Sequence, residues 1–224
     1  RHTRYISVTG VQTCALPISI TTLANADLKP EKLKGVEGGF DLKPVQGITL
    51  SATAFYNRLD NAIANVTPDP LVPTTRQRQN VDAISAKGIE LTAAAKLADF
   101  SLSASYTYSD SKVKAPGQPL NNLRPAQTPR HAASATVTWA TNHGPSLSAS
   151  LHYVGKQYED DLQTDVLPSA LTVDAVAGLP LGHGITIVGR AENIFDKAVY
   201  TRNAGGSIDL GTPQTFWIGV KFNG

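Results

Sequence analysis

The clearest alternating segment of the chain is Phe100-Ser101-Leu102-Ser103-Ala104-Ser105-Tyr106-Thr107-Tyr108-Ser109, in which apolar or aromatic residues alternate with serine and threonine without a break. Successive side chains of a β-strand point to opposite faces, so the apolar residues share one face and the hydroxyl residues share the other. The same alternation recurs from Ile48 to Tyr56 and from Ser146 to Tyr153. The sequence therefore predicts an all-β fold of two-faced strands.

Outward from this stretch, the period-two pattern predicts nine strands. They are Val36–Lys43, Ile48–Asn57, Ala86–Lys96, Phe100–Ser109, Ala132–Trp139, Ser146–Tyr153, Leu171–Leu179, Ile185–Asn193 and Thr215–Phe222. Most have roughly the 9–11 residues that cross a bilayer at a tilt.

The predicted connections alternate in length. Tight turns rich in Pro, Gly, Asn and Asp lie at Pro44–Gly47, Leu97–Asp99, Thr141–Pro145 and Pro180–Gly184. Long polar loops lie at Asn61–Ser85, Asp110–His131, Val154–Ala170 and Ile194–Gln214. Alternation of short and long connections is typical of an outer-membrane barrel, with tight periplasmic turns and long outer loops. We therefore predict an antiparallel transmembrane β-barrel rather than a soluble sandwich or a soluble barrel with a polar interior.

Charged residues within the strands support this interpretation. Those on the face opposite to the apolar residues are Glu37, Asp41, Lys43, Glu90, Lys96, Asp174, Arg190, Glu192 and Lys221. A charge that faces lipid at mid-bilayer costs about 2–4 kcal/mol, so charges are expected on the lumen side. We predict that Glu90, Asp174, Arg190 and Glu192 face the lumen. On the lipid face we predict a membrane-interface girdle of Tyr56, Tyr106, Tyr108, Trp139 and Tyr153.

Composition excludes several other classes. The net charge of +2 over 224 residues gives no electrostatic footprint for nucleic acid. No run of about 18 apolar residues is present, which argues against a transmembrane helix. The five histidines are scattered without the spacing of a metal site, and no nucleophile elbow or hydrolase triad is evident. We predict no enzyme activity, no metal and no cofactor.

The first residues need a separate interpretation. Residues 8–19, Val-Thr-Gly-Val-Gln-Thr-Cys-Ala-Leu-Pro-Ile-Ser, resemble the in-frame translation of a DNA-sequencing adapter, and methionine is absent even at position 1. We expect residues 1–19 to be an artefact or a disordered segment and residues 20–224 to carry the barrel. A signal-peptide core is the alternative interpretation.

Several motifs resemble one known family. They are Leu28-Lys29-Pro30-Glu31 before Glu37-Gly38-Gly39, the run from Phe55 to Ile63, Asn80 with Gly88-Ile89-Glu90, Pro129-Arg130-His131, and Tyr153-Val154-Gly155-Lys156. The most specific are Asn193-Ile194-Phe195-Asp196-Lys197 with Tyr200, and Gly211-Thr212-Pro213-Gln214-Thr215-Phe216. Together they resemble the C-terminal barrel of TonB-dependent receptors from about Leu28 onward. Gln214 departs from the commoner Arg, and Asn223 and Gly224 follow the closing aromatic residue, Phe222.

The resemblance implies a bacterial outer-membrane receptor that imports an iron–siderophore or similar nutrient by active transport. Such a receptor has a 22-stranded barrel, a plug in its lumen and energy supplied through TonB. On this resemblance we expect the nine strands to correspond to the last nine of the barrel, and the plug with its TonB box to be absent from this sequence. The expected partners are the small-molecule substrate, the TonB complex through the missing plug, and outer-membrane lipid. The alternative function is a passive porin or an autotransporter-type barrel; an outer-membrane enzyme is a third class.

Candidate ligand contacts lie in the predicted outer loops. Arg76, Arg78 and Arg202 are suited to an anionic chelate. The acidic run Tyr158-Glu159-Asp160-Asp161 is a candidate for a cation or a basic ligand group, although a solvated loop is the simpler interpretation.

Isolated from the rest of a barrel, nine strands would leave two open edges. Each unpaired backbone group in hydrocarbon costs several kcal/mol. We therefore expect the isolated fragment not to insert as a stable monomer.

Overall fold

The computed structural model describes residues 20–72, 74–142 and 144–222, so the N-terminal segment with Cys14 lies outside it. Regular structure in these residues is entirely β. The strands are β1 (Thr21–Leu23), β2 (Lys32–Leu42), β3 (Ile48–Asp60), β4 (Ile63–Val66), β5 (Thr75–Asn80), β6 (Ala83–Leu97), β7 (Phe100–Lys114), β8 (His131–Ala140), β9 (Ser146–Val154), β10 (Gln157–Tyr158), β11 (Val166–Leu167), β12 (Ala170–Gly182), β13 (Ile185–Glu192), β14 (Tyr200–Ala204), β15 (Ser207–Leu210) and β16 (Thr215–Phe222). The described segments contain no helix long and apolar enough to cross a membrane.

Nine long strands form one sheet, in the order β16-β13-β12-β9-β8-β7-β6-β3-β2. Every neighbouring pair is antiparallel and consecutive among the long strands. The nine predicted strands and the alternation of short and long connections are thus confirmed. Several strands extend further toward the long loops than predicted, β7 reaching Lys114 rather than Ser109.

The register aligns residues of like polarity into rows across the sheet. One row consists of Phe40, Ala52, Leu91, Tyr106, Ala133, Tyr153 and Leu171. An adjacent row on the other face consists of Asp41, Ser51, Thr92, Ser105, Ser134, His152 and Thr172. On this polar face, hydroxyl pairs join neighbouring strands at 2.8 Å (Thr138–Ser148) and 2.9 Å (Thr136–Ser150). The sheet therefore has an apolar outer face and a polar inner face.

The height of the apolar face fits a bilayer. The row of Tyr56, Lys87 and Asp110 bounds it near the long loops, and the row of Phe100, Trp139 and Leu147 bounds it near the tight turns. The ten-residue step along β7 from Asp110 to Phe100 spans roughly 33 Å. A strand tilt of about 40° reduces this to about 25 Å, the usual height of the apolar band of an outer-membrane barrel.

Beyond the Tyr56 row the polarity of the two faces is reversed. Leu33, Leu59, Ile84 and Val113 lie side by side on the inner face, where polar residues lie lower down. Val113 joins a buried core with Ala62, Val66, Val81, Ala115 and Leu120. The core of the described chain therefore lies under the long loops, whereas the sheet within the band has two exposed faces.

The long loops contain short strands that were not predicted. β1, β5 and β4 form a three-stranded sheet with a parallel β1–β5 pair, while β10 pairs with β11 and β14 with β15. Such strands are only 2–6 residues long. Their pairing depends on neighbours that are distant in sequence, so local periodicity does not reveal them.

Candidate functional site in the outer loops

Asn80 joins three of the sequence motifs at the outer end of β2, β3 and β6. Its amide oxygen accepts from the Lys29 backbone N–H at 2.7 Å, and its amide nitrogen donates to the carbonyls of Lys29 (3.0 Å) and Asn61 (2.6 Å). Close by, the Glu31 carboxylate accepts from the Ile63 N–H at 2.7 Å. Although these motifs are distant in sequence, their hydrogen bonds bring them together and hold the first long loop onto the sheet.

Asn193 organises the last long loop in the same way. Its side chain accepts from the Lys197 N–H at 2.9 Å and donates to the carbonyls of Lys197 and Thr212, each at 3.0 Å. The residue has a φ of 47°, a left-handed conformation that asparagine tolerates better than most residues. Gln214, at the departure from the family pattern, donates from its side chain to the Ile194 carbonyl at 2.6 Å. The closing motif therefore anchors the last long loop, and Gln214 contributes to this anchoring through its side-chain hydrogen bond.

The acidic run is largely buried and has internal partners. Asp160 accepts from the backbone N–H groups of Leu162 (2.9 Å), Thr164 (3.1 Å) and Asp165 (2.7 Å). Asp161 accepts from both the N–H (3.1 Å) and the hydroxyl (2.9 Å) of Thr67 in the first long loop. These two carboxylates shape their own loop and attach it to another.

Two cations flank the ring of Tyr158. The Lys156 ammonium lies 5.0 Å and the Arg124 guanidinium carbon 5.9 Å from the ring centroid, within the range of cation–π attraction. Burial, followed by the charge of nearby Arg130, lowers the pKa of Arg124 from its ordinary value. Beside Tyr158, Glu159 accepts from the Gln127 side chain at 3.1 Å. The sequence does not point to Arg124, because no local pattern distinguishes it from other loop cations. Lys156 enters there only as the last residue of the Tyr153-Val154-Gly155-Lys156 motif and not as a contact of Tyr158.

These contacts make the four long loops one connected layer. The first loop is tied to the third by Thr67 and Asp161, and the second to the third by Gln127 and Glu159. The third is tied to the fourth by Asn203, whose side chain donates to the Val166 carbonyl at 3.0 Å. A cavity of about 230 Å³ lies where the first three loops meet, lined by Thr67, Gln79, Leu120 and Asp161 among others.

The three candidate arginines lie on the short strands of this layer. Arg76 and Arg78 are in β5, opposite Thr22 and Asn65 respectively. Arg202 is in β14 and forms an ion pair with Asp209 at 3.6 Å; both side chains are partly exposed. The structure places all three arginines in the outer loops, in agreement with their predicted location. Their contact with a ligand stays a prediction.

The four candidate lumen residues lie on the polar inner face. Asp174 accepts from the Asn193 N–H at 2.7 Å and lies 3.8 Å from His152 Nε2. Arg190 and Glu192 form an ion pair, and Trp217 lies close to the same carboxylate. Glu90 lies between Thr53 and Thr107 in the register. The five candidate girdle aromatics have the opposite, outward parity.

No group of three or more His, Cys, Asp or Glu side chains that could hold a metal ion is found in the part of the chain that the structure describes. In the part of the chain that the structure describes, the outer layer presents arginine and lysine charges, an aromatic ring close to two cations, and side-chain amide groups.

Comparisons with known proteins agree with this architecture. The family model for the TonB dependent receptor-like β-barrel matches residues 7–194. The "Iron-regulated outer membrane virulence protein" of Vibrio cholerae is 29% identical over 213 residues, covering 88% of this chain and 31% of the relative. The "Ferrioxamine B receptor" of Salmonella typhimurium is 30% identical over 179 residues, covering 76% of this chain and 25% of the relative. This chain thus spans about a quarter to a third of the length of these curated relatives.

Solved structures show the same fold. The ferric yersiniabactin uptake receptor FyuA from Yersinia pestis superposes with a TM-score of 0.72 at 21% identity, covering 86% of this chain and 30% of that one. The match of the family model begins within residues 1–19, whose source stays a prediction. Because that match spans most of the chain and the sheet has the order and faces described above, the chain belongs to the TonB-dependent receptor-like β-barrel family, an outer-membrane fold.

Proposed function

We propose that this chain is part of an outer-membrane active-transport receptor that takes up an iron–siderophore or a similar nutrient and is energised through TonB. The observation that carries the proposal is the connected outer-loop layer, which stands over the polar inner face of a membrane-spanning sheet. A receptor needs a binding surface at the outer end and a polar wall against its plug, and these two surfaces supply them. The relatives' names, an iron-regulated outer-membrane protein and a ferrioxamine B receptor, support the same class of substrate.

Within this proposal the arginines contact the ligand and the acids support the loops. Arg76, Arg78 and Arg202 offer planar donor groups that suit the carboxylate or hydroxamate oxygens of a ferric chelate. Tyr158 offers an aromatic face. Glu159, Asp160 and Asp161 already accept hydrogen bonds from protein groups, so their role is to hold the loop that presents Tyr158.

On the inner face, we assign Glu90, Asp174, Arg190 and Glu192 to contacts with the plug or with lumen water. The ion pair of Arg190 with Glu192 and the approach of His152 to Asp174 are consistent with a wall that bears charge without binding substrate. The two named relatives are a receptor and an outer-membrane virulence protein, and we propose no enzymatic step.

The test uses the full-length protein that contains these strands, expressed in a host without its own siderophore receptors. Uptake of ⁵⁵Fe is measured for a panel of ferric hydroxamate, catecholate and carboxylate chelates, with and without TonB. We expect saturable uptake of at least one chelate that requires TonB. Uptake that persists unsaturated without TonB would instead indicate a passive porin, and no uptake of any chelate would overturn the iron–siderophore assignment.

Site variants test the loop assignment separately. We expect Arg78→Gln together with Arg202→Gln to raise the Kd about tenfold, equivalent to about 1.4 kcal/mol. The matched control is Lys96→Gln with Lys221→Gln, which removes two charges from the inner face near the opposite end of the sheet. If the loop pair and the control pair have equal Kd values, the assignment of the arginines fails while the transport proposal stands.

A further inference from the structure

The cavity where the first three long loops meet has a buried floor and an open mouth. Its volume is about 230 Å³. Of its lining residues, Leu120 and Val66 are 1% and 7% exposed, whereas Pro68 and Gln118 are exposed. We call this space the junction cavity. Pockets that enclose a whole ligand usually have about 300–1,000 Å³, so the junction cavity has room for one arm of a ligand and not for all of it.

One acidic side chain lines the junction cavity, and no basic side chain among the described residues does so. This acid is Asp161, which is 7% exposed. Its two oxygens accept from the N–H (3.1 Å) and the hydroxyl (2.9 Å) of Thr67, and each oxygen has a second lone pair for a further bond.

The charge of Asp161 has no counter-charge nearby. In the described part of the chain, no lysine, arginine or histidine nitrogen lies within 4.0 Å of this carboxylate. Buried charges in proteins are normally paired with a charge of opposite sign. Thr67 supplies hydrogen bonds but no charge, so the junction cavity keeps an unbalanced negative charge on its wall.

The other lining residues are apolar or neutral. Leu120, Leu162, Val66 and three prolines supply hydrocarbon surface. The amide nitrogen of Gln79 donates to Gln77 at 2.8 Å, which leaves the amide oxygen of Gln79 as an acceptor. A bare metal ion fits this wall less well than an organic cation, because metal ions such as calcium take six to eight oxygen ligands. Hydrocarbon next to a carboxylate instead favours an aliphatic chain that ends in an ammonium group.

We propose that the junction cavity binds an aliphatic ammonium arm of a ligand, with the carbon chain on Leu120 and Leu162 and the charged nitrogen at Asp161. A hydrogen bond between two charged groups is among the stronger ones in proteins, and burial limits its screening by salt. Gln79 is in β5, the strand that also carries Arg76 and Arg78, so the arm enters beside residues proposed to contact the chelate. That this ligand is the transported ferric chelate rests on the proposed function.

The experiment uses the full-length receptor in detergent and three probes. Two are ferric trihydroxamate chelates, one with a free terminal aliphatic amine and the other with the same amine acetylated; their Kd values are measured by equilibrium dialysis of ⁵⁵Fe. The third probe, 1-aminopentane, represents the arm alone, and its binding is compared with that of 1-pentanol by ligand-observed NMR.

Two test variants and one control isolate the charge. Asp161→Asn removes the charge and keeps an oxygen acceptor for Thr67. Gln118→Lys keeps Asp161 and adds a competing ammonium group to the lining of the cavity. The matched control is Glu159→Gln, because Glu159 is an equally buried carboxylate of the same loop that does not line the cavity. Limited proteolysis of the outer loops verifies that each variant keeps the loop layer.

The native receptor should bind the free-amine chelate about tenfold more tightly than the acetylated one, as expected of one charged hydrogen bond. Asp161→Asn and Gln118→Lys should each reduce this ratio to less than about twofold, while Glu159→Gln keeps it. Equal affinities of the native receptor for the two chelates, or a preference that survives both test variants, would overturn the proposal. If neither chelate binds but 1-aminopentane binds only when Asp161 is present, the cavity assignment stands and the ferric hydroxamate as its ligand fails.

Discussion

A pair of arginine substitutions on adjacent residues of β7 tests which face of the sheet meets lipid. Ala104 is on the apolar face, in a row with Leu50, Ala93 and Ala135, and near the middle of the predicted band. Ser103, its neighbour, is exposed on the polar face opposite Ala94 and Thr136. The two positions share the same strand and almost the same depth, so they differ mainly in the medium that the side chain enters.

The expected costs differ several-fold. Arginine at the lipid-facing midplane of a barrel costs about 2–4 kcal/mol, whereas a lumen substitution meets water or polar groups. We therefore expect Ala104→Arg to lower the free energy of unfolding by about 2–4 kcal/mol and Ser103→Arg by less than about 1 kcal/mol.

The assay is denaturant unfolding of the full-length receptor in liposomes, followed by tryptophan fluorescence. Folding of both variants is verified by heat-modifiable migration. A Ser103→Arg cost equal to or greater than that of Ala104→Arg would refute the assignment of faces, and with it the register from which the lumen residues were derived.

Three further predictions follow from single contacts. Asp161→Ala leaves the buried N–H and hydroxyl of Thr67 without an acceptor, so the loop layer should lose about 1–3 kcal/mol of stability. We expect faster limited proteolysis of the outer loops than in the control variant Asp165→Ala, which changes the same loop. Equal proteolysis rates in the two variants would contradict the assigned role of Asp161. Gly88→Ala should lower the midpoint of denaturant unfolding, because a Cβ there would overlap a backbone oxygen of β7 and lie 2.7 Å from Phe55 Cζ. The control is Gly38→Ala, since a Cβ at Gly38 would meet no atom within 4 Å. Similar midpoints for the two variants would count against this packing. Expressed by itself, the described segment should stay unfolded or aggregate, because among the described residues β2 and β16 each have a strand on one side only; heat-modifiable, protease-resistant monomer in liposomes would disprove this.

The alternation of residues was sufficient to predict the membrane sheet. Within the apolar band, each strand has lipid on one side and a polar interior on the other, so a period of two is imposed on every strand by its own surroundings. The nine strands and the inward parity of Glu90, Asp174, Arg190 and Glu192 could therefore be derived from local sequence alone. The extra length of β7 could not be derived in this way. Beyond Tyr108 the apolar side chains lie on the inner face and the charged side chains on the outer face, which reverses the pattern of the rest of the strand. There Lys112 and Lys114 point outward and Val113 points into the core. In the sequence, this part of β7 resembles a polar loop.

The candidate site was only partly accessible in this way. The sequence located Arg76, Arg78, Tyr158 and Arg202 in the long loops but left their surroundings open. Tertiary structure assigned Asp161 to Thr67, a partner 94 residues away, and Asn80 to Lys29, 51 residues away. No local pattern encodes such pairs, because the two partners become neighbours only when the long loops pack together.

The fold class, the strand number and which face of the sheet is apolar could thus be derived from the sequence, since these depend on the hydrophobic effect acting residue by residue. The packing of the four loops into one layer, and the part of the acidic run in holding that layer together, are visible only in the tertiary structure. These features depend on long-range pairing across strands, which fixes the distances between side chains that the sequence leaves far apart.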